Sequence, residues 1–118
     1  MKIIRSKENS YGEKPYGRET KVLASYEFSD SIDSVIFYHS KLPKGEFDEH
    51  FHSESVEFIW FPEGGKITVN GTDYVMENWD GVILEPGDSH GFQGDCGPIT
   101  HLAVKLPASN DKVTVETK

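Results

Sequence analysis

The sequence predicts an all-β sandwich or barrel with little helix, and three observations predict it. Short runs rich in Val, Ile, Phe, Tyr and Trp recur along the 118 residues, the composition that suits a pleated, half-buried surface. Turn-forming pairs such as Asn70-Gly71, Asp80-Gly81 and Pro86-Gly87 separate those runs at regular spacing. No segment carries apolar residues at i, i+3, i+4 and i+7 between helix caps.

Taken in order, Lys2-Ile3-Ile4 predicts a short edge strand. Residues 5–20 are almost without aliphatic side chains and carry Tyr11, Pro15 and Tyr16, so residues 1–20 read as an arm or loop ahead of a single barrel domain spanning 21–118. Residues 22–28 and 35–39 are strand-like, with the small polar stretch 29–34 turning the chain between them. Leu42-Pro43-Lys44-Gly45 breaks the chain, and Phe47 leads into the pair His50 and His52. Residues 56–61 form a dense apolar strand closed by Pro62-Glu63-Gly64-Gly65. Residues 66–69 and 72–76 flank Asn70-Gly71, the strongest short-range hairpin signal in the chain. Strands follow at 82–84, from His90, at 99–106 and at 113–115, making about nine or ten in all.

A chain of this length buries roughly two thirds of its unfolded surface, so it holds a core without a metal or disulfide staple. Cys96 is the single cysteine, which excludes an internal disulfide and the Cys-x-x-Cys zinc frameworks and points to a reducing compartment. An apolar leader is not seen after Met1, and no run is long enough to span a bilayer. The expectation is a cytoplasmic, soluble protein. A net charge of -8 repels a phosphate backbone, which argues against a nucleic-acid partner. Aromatic residues at 12% of the chain, many alternating with polar ones, suggest a lined cavity for a small molecule.

The chemistry concentrates at residues 50–57. On a strand His50 and His52 project from one face and Phe51 from the other, so two imidazoles converge. Glu57 stands at odd spacing from them, and Ser53-Glu54-Ser55 supplies the turn that brings it round. His90, just after the Pro86-Gly87 turn, is the fourth member. An H-x-H pair alone is an ordinary surface feature, but three imidazoles and a carboxylate suit one divalent transition metal per subunit, with Fe, Mn, Ni, Co, Cu and Zn all tolerated.

In order and nearly in spacing, Gly45, His50, His52, Glu57 and Gly64 resemble the first cupin motif, and Gly81, Pro86, Gly87 and His90 resemble the second. The chain is thus similar to a single-domain cupin, directly over residues 45–93 and by strand pattern over most of 21–106. The resemblance implies a jelly-roll barrel, or double-stranded β-helix, whose open end holds one metal on His50, His52, Glu57 and His90. It departs from the pattern twice. Gly45 stands one residue nearer the first histidine than usual, and Gln93 and Gly94 occupy the place of the asparagine that often ends the second motif. Gly64, Gly81 and Gly87 are expected to take positive φ at barrel corners.

His101 and Tyr38 are the candidate catalytic residues, His101 as a general base or a partner of the metal ligands. Tyr38 and His39 have opposite facing, and Tyr38 is the one expected inside. Phe47 and Phe92 would wall the pocket. Alternation along 57–61 turns Phe58 and Trp60 outward, an aromatic face that needs cover from the arm, from the monomer's own core or from a second subunit, hence an expected homodimer. Cys96 sits in a loop with no histidine beside it in sequence, unpromising as a nucleophile. The function these features imply is a metal-dependent, dioxygenase-like enzyme acting on a small organic molecule. The alternatives are a redox-neutral metal-dependent isomerase or lyase, or a non-catalytic small-ligand-binding barrel.

Overall fold

Strand β6 (Val56–Phe61) is the middle of the architecture because its two faces serve two different cores. In the computed structural model, which describes all residues except 43–46, 93–97, 116–118 and the side chains of 47 and 48, β6 lies between β9 (Asp80–Leu84) and β11 (Ile99–Leu106). With β1 (Lys2–Ile4) and β4 (Ile36–Leu42) on the outside, these make a five-stranded antiparallel sheet in the order β1-β9-β6-β11-β4. A second sheet runs β12-β5-β10-β7-β8, built from β5 (Phe47–His52), β7 (Gly65–Val69), β8 (Thr72–Met76), β10 (His90–Phe92) and β12 (Lys112–Thr114). Among the described residues there is no α-helix, only two single-turn 3-10 segments. The all-β expectation holds.

The inward side chains of both sheets, including Ile59, Phe61, Ile67, Val69, Val82, Leu84 and Ala103, form the main core. The outward side of β6 packs differently. Val56, Ile83 and Ile4 are buried there, with Phe58 and Trp60 half-buried under Ala24, Tyr26 and Phe28, and the Tyr26 ring meets Phe28 and Phe58 edge-on at 4.9 and 5.9 Å. The chain's own residues 24–28 therefore supply the cover that the aromatic face requires. This segment corrects the sequence expectation of a strand at 22–28, for residues 21–28 carry no regular structure. Its aromatic side chains are what is buried, and β1 already occupies the sheet edge beside β9. Conversely, the expected loop at 5–20 contains a small hairpin of β2 (Gly12–Lys14) and β3 (Arg18–Thr20), all of it exposed.

Most of the remaining strands fall within a residue or two of their predicted places, and β4 runs three residues past its predicted end at His39. Asn70 and Gly71 both adopt positive φ, 49° and 81°, as a two-residue hairpin demands. Gly64 and Gly87 likewise have positive φ. Gly81 does not, and is a correction. A Cβ there would collide with the Trp60 ring and lie 2.8 Å from the Ile59 carbonyl oxygen. Glycine is needed at that position for close packing, not for backbone freedom.

The start of the chain is bolted to the barrel by Asp80, which is 1% exposed. Its carboxylate accepts from Arg5 Nη1 at 2.8 Å and from the backbone N–H groups of Ser6 and Glu77, each at 2.9 Å. Burial alone would raise the Asp80 carboxyl, but these donors outweigh it and hold the group below the ordinary range. Asp80→Ala leaves a guanidinium and two amides without their acceptor and should lower unfolding free energy by about 3 kcal/mol. Arg5→Ala, at a half-exposed position, should cost about 1 kcal/mol. Urea denaturation of both variants checks the ranking, and equal costs would show that Asp80 is not the centre of the network.

Candidate metal centre

Two neighbouring strands of the second sheet bring the imidazoles together. His90 on β10 is the register partner of His50 on β5, and strand alternation places His52 on the same face as His50. The His50 and His90 rings are 4.2 Å apart between centroids, and His52 lies 5.3 and 5.7 Å from them. One ligand atom from each of the three falls within 4.8 Å of the others, an arrangement that could hold a metal ion.

Glu57 reaches the same point from the first sheet, turned inward on β6 with Ile59 and Phe61. Its Oε1 is 3.3 Å from Nε2 of His52 and 3.3 Å from Nε2 of His90, yet this buried oxygen makes no well-formed hydrogen bond. Burial works to raise the Glu57 carboxyl, but its contacts with His52 and His90 prevail and hold it far below the usual carboxylate range. The Glu57 carboxylate in turn raises His52, with Asp111 adding to the effect against burial. Glu57 thus meets two of the three imidazoles, those of His52 and His90, while the set within 4.8 Å is His50, His52 and His90, and the Ser53–Ser55 turn lies between β5 and β6 where the chain swings round to Glu57.

Two contacts that the sequence did not reveal hold the cluster. Asp111, just ahead of β12, places Oδ1 3.0 Å from His52 Nδ1, while its Oδ2 accepts the backbone N–H groups of Glu54 and Ser55 at 2.9 and 2.8 Å. A carboxylate on one imidazole nitrogen fixes the tautomer that frees the other for a ligand role. On the opposite side Asn70, at the tip of the β7–β8 hairpin, accepts from the Ser89 N–H at 2.9 Å and donates to Asp88 at 3.0 Å, so the hairpin clamps the turn that presents His90. The Gly87 N–H also donates to the His52 carbonyl at 2.9 Å. None of these links has a local sequence signal, since the partners are 18 to 59 positions apart.

The cluster lies in a cavity of about 590 Å³, within the usual range for small-molecule sites. Tyr38 and His101 both line it, as expected, on β4 and β11. The His101 ring stacks on Phe92, 5.6 Å between centroids and 11° between planes, and its Nδ1 is buried without a partner. Burial pushes His101 below the ordinary imidazole range, favouring the uncharged ring. Phe92 lines the apolar side, as predicted. Gly45, Gln93, Gly94, Cys96 and the side chain of Phe47 lie outside the described residues. Lys105, absent from the sequence reading, also lines the cavity.

No protein-family model matches the sequence, and no curated protein matches it either. Solved structures do. The Streptomyces protein Pac13 superposes with a TM-score of 0.62 at 18% identity, covering 96% of this chain and 89% of that one. A cupin from Bacteroides fragilis gives 0.54 at 16% identity over 80% and 88% of the two chains. A Klebsiella pneumoniae protein with a double-stranded β-helix domain gives 0.55 at 22% over 70% and 74%. With the two facing sheets described above, these likenesses define the class: the chain has the cupin fold.

Asp111 titrates at about 2 in the fold, below its ordinary 3.8, because the Glu54 and Ser55 amides and His52 outweigh burial. A carboxyl lowered on folding contributes stability above its unfolded value and loses it as pH falls through the folded one, so the window is about pH 4 to 2. In chelator-treated protein, Asp111→Ala should therefore show a shallower loss of the urea midpoint across that window than wild type. Parallel curves would mean that Asp111 is not tied down as described.

Proposed function

We propose that this chain is a metal-binding cupin enzyme that acts on a small organic molecule in the barrel, and that its reaction moves protons, as an isomerase or lyase does, without net oxidation. His50, His52, Glu57 and His90 are the proposed ligands of one divalent transition metal. The observation that carries this is the buried Glu57 oxygen, 3.3 Å from two imidazole nitrogens without a well-formed hydrogen bond to either, at the base of an open cavity. A buried carboxylate and three imidazoles form a donor set that Fe, Mn, Ni, Co, Cu or Zn accepts. Bound there, the metal supplies Lewis acidity toward a substrate oxygen.

The chain's own residues support the proton-moving reading. His101 has a buried, partnerless Nδ1 and lines the same cavity, which suits a general base. Tyr38 lines the cavity while remaining 40% exposed, which supports its phenol as a second proton carrier in this proposal. Pac13, described as a nucleoside dehydratase and solved with uridine, shares nearly its whole length with this chain. The dioxygenase alternative has support from a likeness to salicylate 1,2-dioxygenase from Pseudoaminobacter salicylatoxidans with bound gentisate, at a TM-score of 0.51 and 14% identity over 64% of this chain and 20% of that one.

Cytoplasmic residence is supported by the single cysteine, and no helix among the described residues is long and apolar enough to cross a membrane. A homodimer also remains our reading. Phe58 and Trp60 are covered internally, but Phe37 on the edge strand β4, opposite Val104 of β11, is 73% exposed, and Leu102, opposite His39, is 39% exposed, an apolar strip left open among the described residues.

Elemental analysis of untagged protein purified without chelator should find about one transition metal per chain. His52→Ala should lose that metal and keep its circular dichroism, and a variant that retained it would remove His52 from the ligand set. His101→Gln should keep the metal and lower turnover by roughly 10²- to 10⁴-fold on whichever hydroxy acid, keto acid or nucleoside proves to be a substrate. Dioxygen uptake matched to turnover would decide for the dioxygenase. Sedimentation should give a dimer that Phe37→Asp dissociates, and a wild-type monomer would end that reading.

A further inference from the structure

The cavity has the opposite charge character to the chain that encloses it. The protein carries 20 acidic against 12 basic residues, yet Glu57 is the only carboxylate among the described residues that line the cavity, while Lys105 and Lys112 both line it. Glu57 faces two imidazole nitrogens at 3.3 Å and belongs to the proposed metal-ligand set. Outside that set the charged side chains lining the cavity, among the described residues, are the two lysines.

Lys105 is the informative member because it is buried, 8% exposed, and a buried ammonium is costly unless its donors are used. It projects inward from β11 directly across the ladder from Glu57. Its Nζ donates to the Ser109 carbonyl at 2.7 Å. The nearest carboxylate oxygen, Asp111 Oδ1, is 3.8 Å away, too far for a hydrogen bond, and Asp111 is engaged by two backbone amides and His52. An ammonium has three donors, so Lys105 keeps donor capacity at the cavity wall. Lys112, the register partner of His52 on β12, adds an exposed cation at the rim. Ser40, Asn110 and Thr114 contribute hydroxyl and amide groups to the same lining.

We infer that Lys105, assisted by Lys112, forms an oxyanion-binding subsite beside the imidazole cluster, and that the molecule it takes is a small hydroxylated compound bearing a carboxylate or phosphate. That this molecule is a substrate rests on the function proposed above. The anion site itself does not, because it is built from side chains outside the metal-ligand set. The paired ammonium and oxyanion form a charge-assisted hydrogen bond in a partly dry cavity, while the hydroxyl and amide groups meet the rest of the ligand.

The test is calorimetric titration of malonate, inorganic phosphate and, as a neutral control, glycerol into the full chain, both chelator-treated and loaded with manganese. Wild type should bind malonate or phosphate and not glycerol, and the anion that binds identifies the source of the negative charge. Lys105→Met should weaken that binding on the order of 10-fold or more, the loss of one charge-assisted hydrogen bond, with Lys105→Arg restoring most of it and manganese uptake unchanged. Lys112→Met, at an exposed position that folding does not depend on, should weaken binding about threefold and keeps the test decisive if Lys105→Met fails to fold. Anion affinity unchanged in both methionine variants, glycerol bound as well as the anions, or neither anion bound, would each overturn the inference. Failure of wild type to take up manganese would count against the metal centre alone, since the chelator-treated titrations still decide the anion site.

Discussion

A carboxylate buried between two sheets is the constraint on which the rest of this structure depends. Glu57 belongs to one sheet and the three imidazoles to the other, so their meeting requires the sheets to close at that end of the barrel. Elsewhere the sheets meet through ordinary apolar packing. Here they meet through charge, which tolerates little misplacement in a low-dielectric interior. The segments around the cluster read as consequences of that demand. Asp111 ties the turn between β5 and β6 to His52, and Asn70 ties a distant hairpin to the turn before His90.

The same constraint explains a division of labour between the two faces of β6. Inward, Glu57, Ile59 and Phe61 run from the site into the core. Outward, Val56, Phe58 and Trp60 are met by Ile83 from β9 and by the irregular segment 24–28, with Gly81 lacking a Cβ so that Trp60 can lie flat against the neighbouring strand. The strand that carries the outer layer on one face carries Glu57 on the other. Stability and site geometry are coupled through one strand, which is why a substitution on the outer face is not remote from the chemistry.

The cavity above the cluster mixes an apolar wall, an imidazole stacked on Phe92, and buried positive charge, in a protein that is acidic overall. The cavity's two ammonium groups support the proposed anion subsite, and the imidazoles with Glu57 support the proposed metal-assisted chemistry on a molecule held beside them.

Much of this was legible in the sequence. Period-two alternation, Asn70-Gly71, and the spacing of His50, His52, Glu57 and His90 are local properties of the chain, and local geometry determines which way side chains at positions two apart will point. The strands, the all-β class, the ligand candidates and the inward facing of Tyr38 therefore followed without coordinates. Residues 22–28 misled because aromatic, β-branched runs look alike whether they pair in a ladder or lie across a sheet. Asp111, Asn70 as a clamp and Lys105 were invisible for a different reason. Their roles come from partners far along the chain, and an isolated Asp, Asn or Lys has no period or spacing by which to be recognised. The sequence by itself determined the kind of fold and the residues that could meet; only the tertiary structure decided which distant side chains hold them there and which charged side chains line the cavity, because both depend on how the two sheets close on each other.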